Sequence, residues 1–159
     1  MCAMTSIRTV TINAAFLQEI KDVHQELWQT LGELDGMADS PLADRSGIHR
    51  LAELLGRLRD QLALHFSLEE AYGYFDDPAE AAPQLCGQAE RLREEHATLY
   101  VTVSDLAERV EQFRFDGKPF DADEVLETYR TFCREFRRHE DAETELIQQA
   151  YGDDIGVGD

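Results

Sequence analysis

Cysteine is scarce in this sequence of 159 residues, and its spacing argues against two classes of site. The three cysteines, Cys2, Cys86 and Cys133, are odd in number, widely separated and without a CxxC pair. This pattern argues against a disulfide framework and against a thiolate metal site. We therefore predict that Cys86 and Cys133 are small apolar packing residues, in a protein of a reducing compartment, the cytoplasm.

Long apolar runs are missing as well. Residues 1–11 lack the unbroken apolar stretch that a secretory signal needs. No other segment approaches the roughly 20 apolar residues of a membrane-spanning helix. We expect a soluble protein without a membrane partner.

Positive charge is in the minority, with 15 Lys and Arg against 33 Asp and Glu and a formal net charge of −18. Such an acidic surface repels nucleic-acid phosphates and anionic lipid headgroups. Nucleic acid is therefore excluded as a partner, whereas metal cations are attracted.

Proline occurs only four times and divides the chain into four long segments, about residues 12–38, 46–76, 84–115 and 121–151. Each segment places apolar residues three and four positions apart, which is the period of one face of an α-helix. The predicted core positions are Leu17, Ile20, Leu27, Leu31, Leu34, Ile48, Leu51, Leu55, Leu58, Leu62, Leu85, Ala89, Leu92, Leu99, Val103, Leu106, Val110, Phe113, Val125, Tyr129, Phe132, Phe136 and Ile147.

Short links between these segments, near 39–46, 77–83 and 116–120, favour antiparallel neighbours. The prediction is an all-α fold, an antiparallel up-down-up-down four-helix bundle over residues 12–151. An N-terminal arm (1–11) precedes it and a flexible acidic tail (152–159) follows it. Asp121 and Glu124 form an N-terminal capping pair, and Pro83 suits a first helical turn. We expect a monomer.

One histidine interrupts the apolar stripe of each segment: His24, His65, His96 and His139. Counted from the predicted loops at 1.5 Å per residue, their offsets agree to within about one helical turn. The four imidazoles are therefore predicted to converge at one level of the core. The fifth histidine, His49, lies about 24 Å from His65 along the same helix and is predicted to be a surface residue.

Two acids share the faces of these histidines, since Glu69 follows His65 by four residues and Glu143 follows His139 by four. One residue in about five of this chain is acidic (33 of 159), so a single such pair is weak support. A lone core histidine is also more often a hydrogen-bonded packing residue. Two pairs at the level of four histidines, however, indicate a metal site, because buried carboxylates need cations or hydrogen bonds.

The donor set limits the metal. Imidazole and carboxylate without thiolate suit iron, manganese or zinc. The donors outnumber those of one tetrahedral zinc, and two carboxylates able to bridge suggest two ions. Iron is favoured, with manganese and zinc as alternatives. Tyr100, four residues after His96, is predicted to be a phenolate ligand, the alternative being a core packing tyrosine. Counting these donors and an oxo or hydroxo bridge leaves one coordination position open.

This pattern, His24, His65-x-x-x-Glu69, His96 and His139-x-x-x-Glu143, resembles the HHE cation-binding signature of the hemerythrin-like family over about residues 12–151. The resemblance implies the four-helix fold and an oxo- or hydroxo-bridged di-iron centre, with Glu69 and Glu143 as bridging carboxylates. Oxygen-carrying hemerythrins have a histidine where Tyr100 stands, and their last acid falls at the place of Thr144. Tyrosine at this position resembles the actinobacterial branch, which is associated with peroxide handling.

The predicted metal site is consistent with three functions. The first is a redox enzyme, a catalase-like di-iron protein that disproportionates hydrogen peroxide at the open position, in oxidative stress or iron homeostasis. The second is a binding module that stores or senses oxygen, nitric oxide or iron without turnover. The third is a scaffold whose metals are purely structural. A phenolate stabilises ferric iron, which favours the first function over reversible oxygen carriage. Three acids next to predicted ligands, Glu70, Glu95 and Glu140, point about 100° away from the ligand faces, so the helical period predicts no partner for them.

Overall fold

The computed structural model describes residues 14–38, 44–71 and 76–155, and their side chains within 22–38, 44–71 and 79–150. These parts of the chain are helical, without a strand. The predicted arm, residues 1–11, lies outside the described residues. The helices are α1 (Ala14–Ala38), α2 (Arg45–Ala71), the short α3 (Asp76–Ala81), α4 (Cys86–Asp116) and α5 (Ala122–Ile155), with a 3₁₀ turn at Pro83–Leu85 before α4.

The four long helices pack as a bundle, which confirms the predicted fold class. Helix α2 contacts both α1 and α4, and α4 contacts α5. The direction of α1 and α2 follows from their side-chain contacts, in which the end of one helix meets the start of the other. Near the loop that joins α1 and α2, Glu33 Oε2 lies 2.5 Å from Arg50. Farther from this loop, Thr30 donates a hydrogen bond to Gln61 Oε1 at 2.7 Å. These two helices are therefore antiparallel.

The core follows the predicted stripes. Leucines and valines line its middle, and the largest fully buried side chains include Tyr129, Phe132 and Phe136. Tyr129 also joins two helices, because its hydroxyl donates to the Leu31 carbonyl at 3.1 Å and lies 2.9 Å from Asp35 Oδ1. Most predicted core positions with a described side chain are buried, whereas Ile48, Leu85, Phe113 and Ile147 are only partly buried. Leu17 and Ile20 lie outside the described side chains.

Local signals at the helix ends are partly confirmed. Asp121 caps α5 by accepting a hydrogen bond from the backbone N–H of Glu124 at 3.1 Å. The Glu124 side chain points instead to Arg109, at 3.4 Å. Gly117 ends α4 with φ of 67°, and its N–H donates to the Phe113 carbonyl, a left-handed cap that suits glycine.

Four features differ from the sequence prediction. The connection predicted as a loop at 77–83 contains α3 and the 3₁₀ turn, because Ala79 and Leu85 pack against a small apolar cluster of Ala89, Leu92 and Leu146. Helix α5 continues to Ile155, beyond the boundary predicted at 151. Cys86 is exposed, so its prediction as a packing residue is wrong, whereas Cys133 packs against the core. Pro83 opens the 3₁₀ turn rather than α4.

Candidate metal centre

The structure brings together one histidine from each long helix. The ring centroids of His24 and His65 are 5.6 Å apart, and those of His96 and His139 are 4.9 Å apart. Phe66 lies between the two pairs, stacked on His96 at 3.9 Å and within 5.7 Å of the His65 ring. The four imidazoles therefore meet at one level of the bundle, as the loop offsets predict.

His49 is absent from this level. Its side chain is 50% exposed, and its ring lies 3.6 Å from Glu53 one helical turn along. The predicted surface position of His49 is confirmed.

A first group of donors is fully buried. One ligand atom from each of Glu69, His96, His139 and Glu143 lies within 4.8 Å of the others. Glu143 Oε1 lies 2.5 Å from Nε2 of His139 and 3.2 Å from Nε2 of His96. Helices α2, α4 and α5 therefore supply a compact set of two imidazoles and two carboxylates.

A second group adjoins the first and contains His24, His65 and Glu140, again with one ligand atom each within 4.8 Å of the others. Its residues are less buried, since His24 and Glu140 are partly exposed. Trp28 Nε1 donates a hydrogen bond to Nε2 of His24 at 2.8 Å and so fixes the orientation of that ring. Helices α1, α2 and α5 provide this set.

Glu69 connects the two groups. Its Oε1 lies 2.7 Å from Nε2 of His65, and its Oε2 lies 3.2 Å from Nε2 of His96. Each carboxylate oxygen thus faces a histidine of a different group. This is the arrangement of a carboxylate that bridges two ions.

The buried polar atoms test whether cations fit here. Among the described residues, Glu69 Oε2 and His139 Nε2 are buried and make no hydrogen bond, although each lies close to a group of opposite polarity. A buried polar atom without a hydrogen bond costs about 1–3 kcal/mol, and a charged one more. A cation among these atoms would satisfy both, so the residues fit a metal ion.

In the metal-free chain, protons compensate the carboxylates. Burial lowers the pKa of His65, but hydrogen bonds to Glu140 and Glu69 outweigh burial and raise it to about 10. Burial also lowers the pKa of His96, but the adjacent carboxylates of Glu143 and Glu69 outweigh burial and raise it to about 9. Burial lowers the pKa of His139 too, but the adjacent carboxylate of Glu143 outweighs it, so the pKa is raised. Burial acts to raise the pKa of Glu69, yet His65 and His96 hold it below its usual value.

Two further acids contact the outer nitrogens of the histidines. Glu95 Oε2 lies 2.7 Å from Nδ1 of His139, and Glu70 Oε1 lies 3.5 Å from Nδ1 of His96. A carboxylate on the nitrogen that faces away from a metal fixes the ring orientation and raises its basicity.

The periodicity of single helices missed these contacts because each acid points away from the histidine on its own helix. Glu70 of α2, Glu95 of α4 and Glu140 of α5 each reach a histidine of another helix. The signal available in the sequence is their position, one residue from a predicted ligand.

Tyr100 lies on α4 one turn after His96, and its side chain is 37% exposed. It is therefore not a buried core tyrosine. Its assignment as a phenolate ligand stays a prediction.

A cavity of about 400 Å³ opens beside the second group. Its polar lining includes both bridging candidates, Glu69 and Glu143, together with His24, His65 and Glu140. Leu68, Thr144, Ile147 and Gln148 complete the walls. His96 and His139 are not part of the lining, so the cavity gives a small molecule access to one side of the site.

Comparison with known proteins gives one match. The family model described as hemerythrin HHE cation binding domain matches residues 15–151. No curated protein and no solved structure matches the chain. No described helix has an apolar stretch long enough to cross a bilayer. The matched range contains both donor groups and nearly the whole bundle, and the chain therefore belongs to the hemerythrin HHE cation-binding family.

Proposed function

We propose that this bundle holds two iron ions and disproportionates hydrogen peroxide at the ion that faces the cavity. Membership of the HHE family and the buried His/Glu cluster indicate a metal-binding module for which iron is the typical ion. Peroxide turnover at one ion is supported by the unequal access that the cavity gives to the two sides of the site. The cavity reaches His24, His65 and the two glutamates but not His96 or His139. One ion would then meet small molecules while the other stays enclosed.

The number and type of donors support two ions. The two groups contain four imidazoles and three carboxylates, and Glu69 has one oxygen directed at each group. Neutral imidazole and carboxylate suit iron, with manganese and zinc as alternatives that metal analysis would distinguish. When bound, a pair of iron ions supplies the two-electron change that converts one peroxide to oxygen and another to water, 2 H₂O₂ giving 2 H₂O and O₂.

The protein's own contribution is binding, orientation and exclusion. Glu69 and Glu143 would hold the ions at a fixed separation, while Glu95 and Glu70 orient the enclosed histidines through Nδ1. The apolar walls formed by Leu68 and Ile147 limit the water that enters with the substrate. A phenolate from Tyr100 would stabilise ferric iron, which favours redox turnover over oxygen carriage.

The test is oxygen evolution from peroxide by the iron-loaded protein, measured with an oxygen electrode. We expect His65→Ala to abolish it, and His49→Ala, which removes an exposed histidine of the same helix, to leave it unchanged. If the wild type evolves no more oxygen than His65→Ala, the peroxide function is wrong.

The same cavity would also admit oxygen or nitric oxide, which supports the alternative of a binding module without turnover. The di-ferrous protein, prepared without air, separates the two functions. A stable and reversible oxygen adduct favours binding, whereas irreversible oxidation to the di-ferric state favours the redox enzyme.

A further inference from the structure

We infer that Glu140 is a protein ligand of the cavity-side ion, alongside His24, His65 and Glu69. The inference rests on the two-ion site of the proposed function and adds a residue to it. Glu140 lies outside the HxxxE pairs, because it follows His139 by only one residue.

The contact made by Glu140 is with the inner nitrogen of a histidine. Its Oε1 lies 2.9 Å from Nε2 of His65, and Glu69 Oε1 lies 2.7 Å from that same nitrogen. Bonds from a metal to nitrogen or oxygen are about 2.0–2.2 Å long, so two donors at right angles around one ion lie about 3 Å apart. Each of the two carboxylate oxygens therefore lies at the distance from His65 Nε2 that separates neighbouring donors on one ion.

Glu95 and Glu70 provide the contrast within the same site. Both are one residue from a predicted ligand, as Glu140 is, but they approach Nδ1 of their histidines. A carboxylate on Nδ1 lies on the side of the ring away from an ion bound at Nε2. Glu140 alone among these three lies on the Nε2 side.

Burial and access agree with this assignment. The Glu140 side chain is 17% exposed, and it lines the cavity together with His24 and His65. Glu95 and Glu70 are about half exposed and are not part of the lining. A small molecule that enters the cavity would therefore reach the cavity-side ion next to Glu140.

The competing explanation is that Glu140 only pairs with a protonated His65 in the metal-free protein and has no role once metal is bound. Anaerobic titration of the full-length protein with Fe²⁺ separates the two. Trp28 is the only tryptophan of the chain and donates a hydrogen bond to His24, so its fluorescence reports the cavity-side ion. Colorimetric iron analysis after gel filtration gives the number of ions bound per chain.

The variants are Glu140→Ala and Glu140→Gln, with Glu135→Gln as the matched control. Glu135 is an exposed glutamate of the same helix, and its change removes the same charge. We expect two ions per chain in the wild type and in the control. In both Glu140 variants the affinity for the cavity-side ion should fall at least 10-fold, because loss of even an outer partner of a ligand typically has an effect of that size. The affinity for the enclosed ion should stay the same. Circular dichroism of each variant checks folding.

Two results overturn the inference, and they are distinguishable. If the wild type binds two ions and both Glu140 variants bind them equally well, Glu140 is only an ion-pair partner of His65 and the two-ion site stands. If the wild type binds fewer than two ions, the two-ion site itself is wrong and the inference falls with it.

Discussion

Glu69 and His96 belong to different helices, yet Oε2 of Glu69 lies 3.2 Å from Nε2 of His96 at the centre of the bundle. The other oxygen of Glu69 faces His65 on its own helix. A single carboxylate thus spans the gap between the two donor groups, and it is the side chain on which a two-ion site depends most directly.

Replacing Glu69 with glutamine removes the charge and the second donor oxygen while keeping the shape of the side chain. We expect iron bound per chain to fall from two to one or fewer, measured by iron analysis after anaerobic loading. Glu53→Gln, an exposed glutamate of the same helix, is the control and keeps two ions. Full loading of the Glu69→Gln protein would show that the two oxygens do not bridge.

The sequence alone predicted the bundle and the convergence of the histidines, because both follow from the α-helical period and from loop positions. Burial of Leu58, Val103 and Phe136 needs no information beyond the apolar stripe on their own helix. Contacts between side chains of different helices could not be predicted in this way. Glu140 reaches His65 only because α5 has a particular rotation against α2, and rotation depends on side-chain packing that no single-helix pattern contains.

The short helix α3 shows a similar limit. Its six residues are too few for a periodic signal, and isolated helices of that length are unstable in water. Contacts of Ala79 and Leu85 with the cluster that includes Leu146 provide the tertiary packing that the local sequence lacks.

The stability of the metal-free protein should fall as the pH rises above neutrality. The folded pKa values of His65 (about 10) and His96 (about 9) exceed the unfolded value of 6.5, so their contribution is complete below pH 6.5 and is lost as the pH approaches 10. The pKa of Glu69 is lowered, so its contribution is lost only on acidification below about pH 4.5. We expect maximal stability between these limits and a loss on the order of several kcal/mol at high pH, measured by urea unfolding.

Bound iron should reverse this dependence of stability on pH. Metal binding requires unprotonated imidazole, so the stabilisation by iron grows as the pH rises through the same range. His49→Gln serves as the control and should follow the wild type, because this exposed histidine lies outside the site. A metal-free profile that is flat between pH 6.5 and 10 would mean that His65 and His96 are not held protonated by the carboxylates.

Tyr100 makes an optical prediction. A ferric phenolate has a ligand-to-metal charge-transfer band in the visible range, and we expect Tyr100→Phe to remove that band from the iron-loaded protein. Tyr129→Phe is the matched control, because the Tyr129 hydroxyl is held by Leu31 and Asp35, so the band should persist. An identical spectrum in Tyr100→Phe would show that this partly exposed side chain is no ligand.

Phe66 supports the site without donating an atom to it. Its ring contacts His65 at 5.7 Å, His96 at 3.9 Å and His139 at 5.8 Å, which are distances between ring centroids. Replacement by leucine removes the flat surface on which His96 stacks. We expect Phe66→Leu to lower iron affinity 10-fold or more, since ligands held less firmly lose preorganisation.

Phe132→Leu separates this effect from a general loss of stability. Phe132 is buried and stacks on Phe136 at 5.7 Å, and within the described part of the chain it makes no ring contact with a histidine. Both changes remove similar volume from the core, so each should cost roughly 1–2 kcal/mol in the free energy of unfolding of the metal-free protein. Only Phe66→Leu should also weaken iron binding. Equal iron affinities in the two variants would mean that the position of the histidines depends on the bundle as a whole and not on the ring between them.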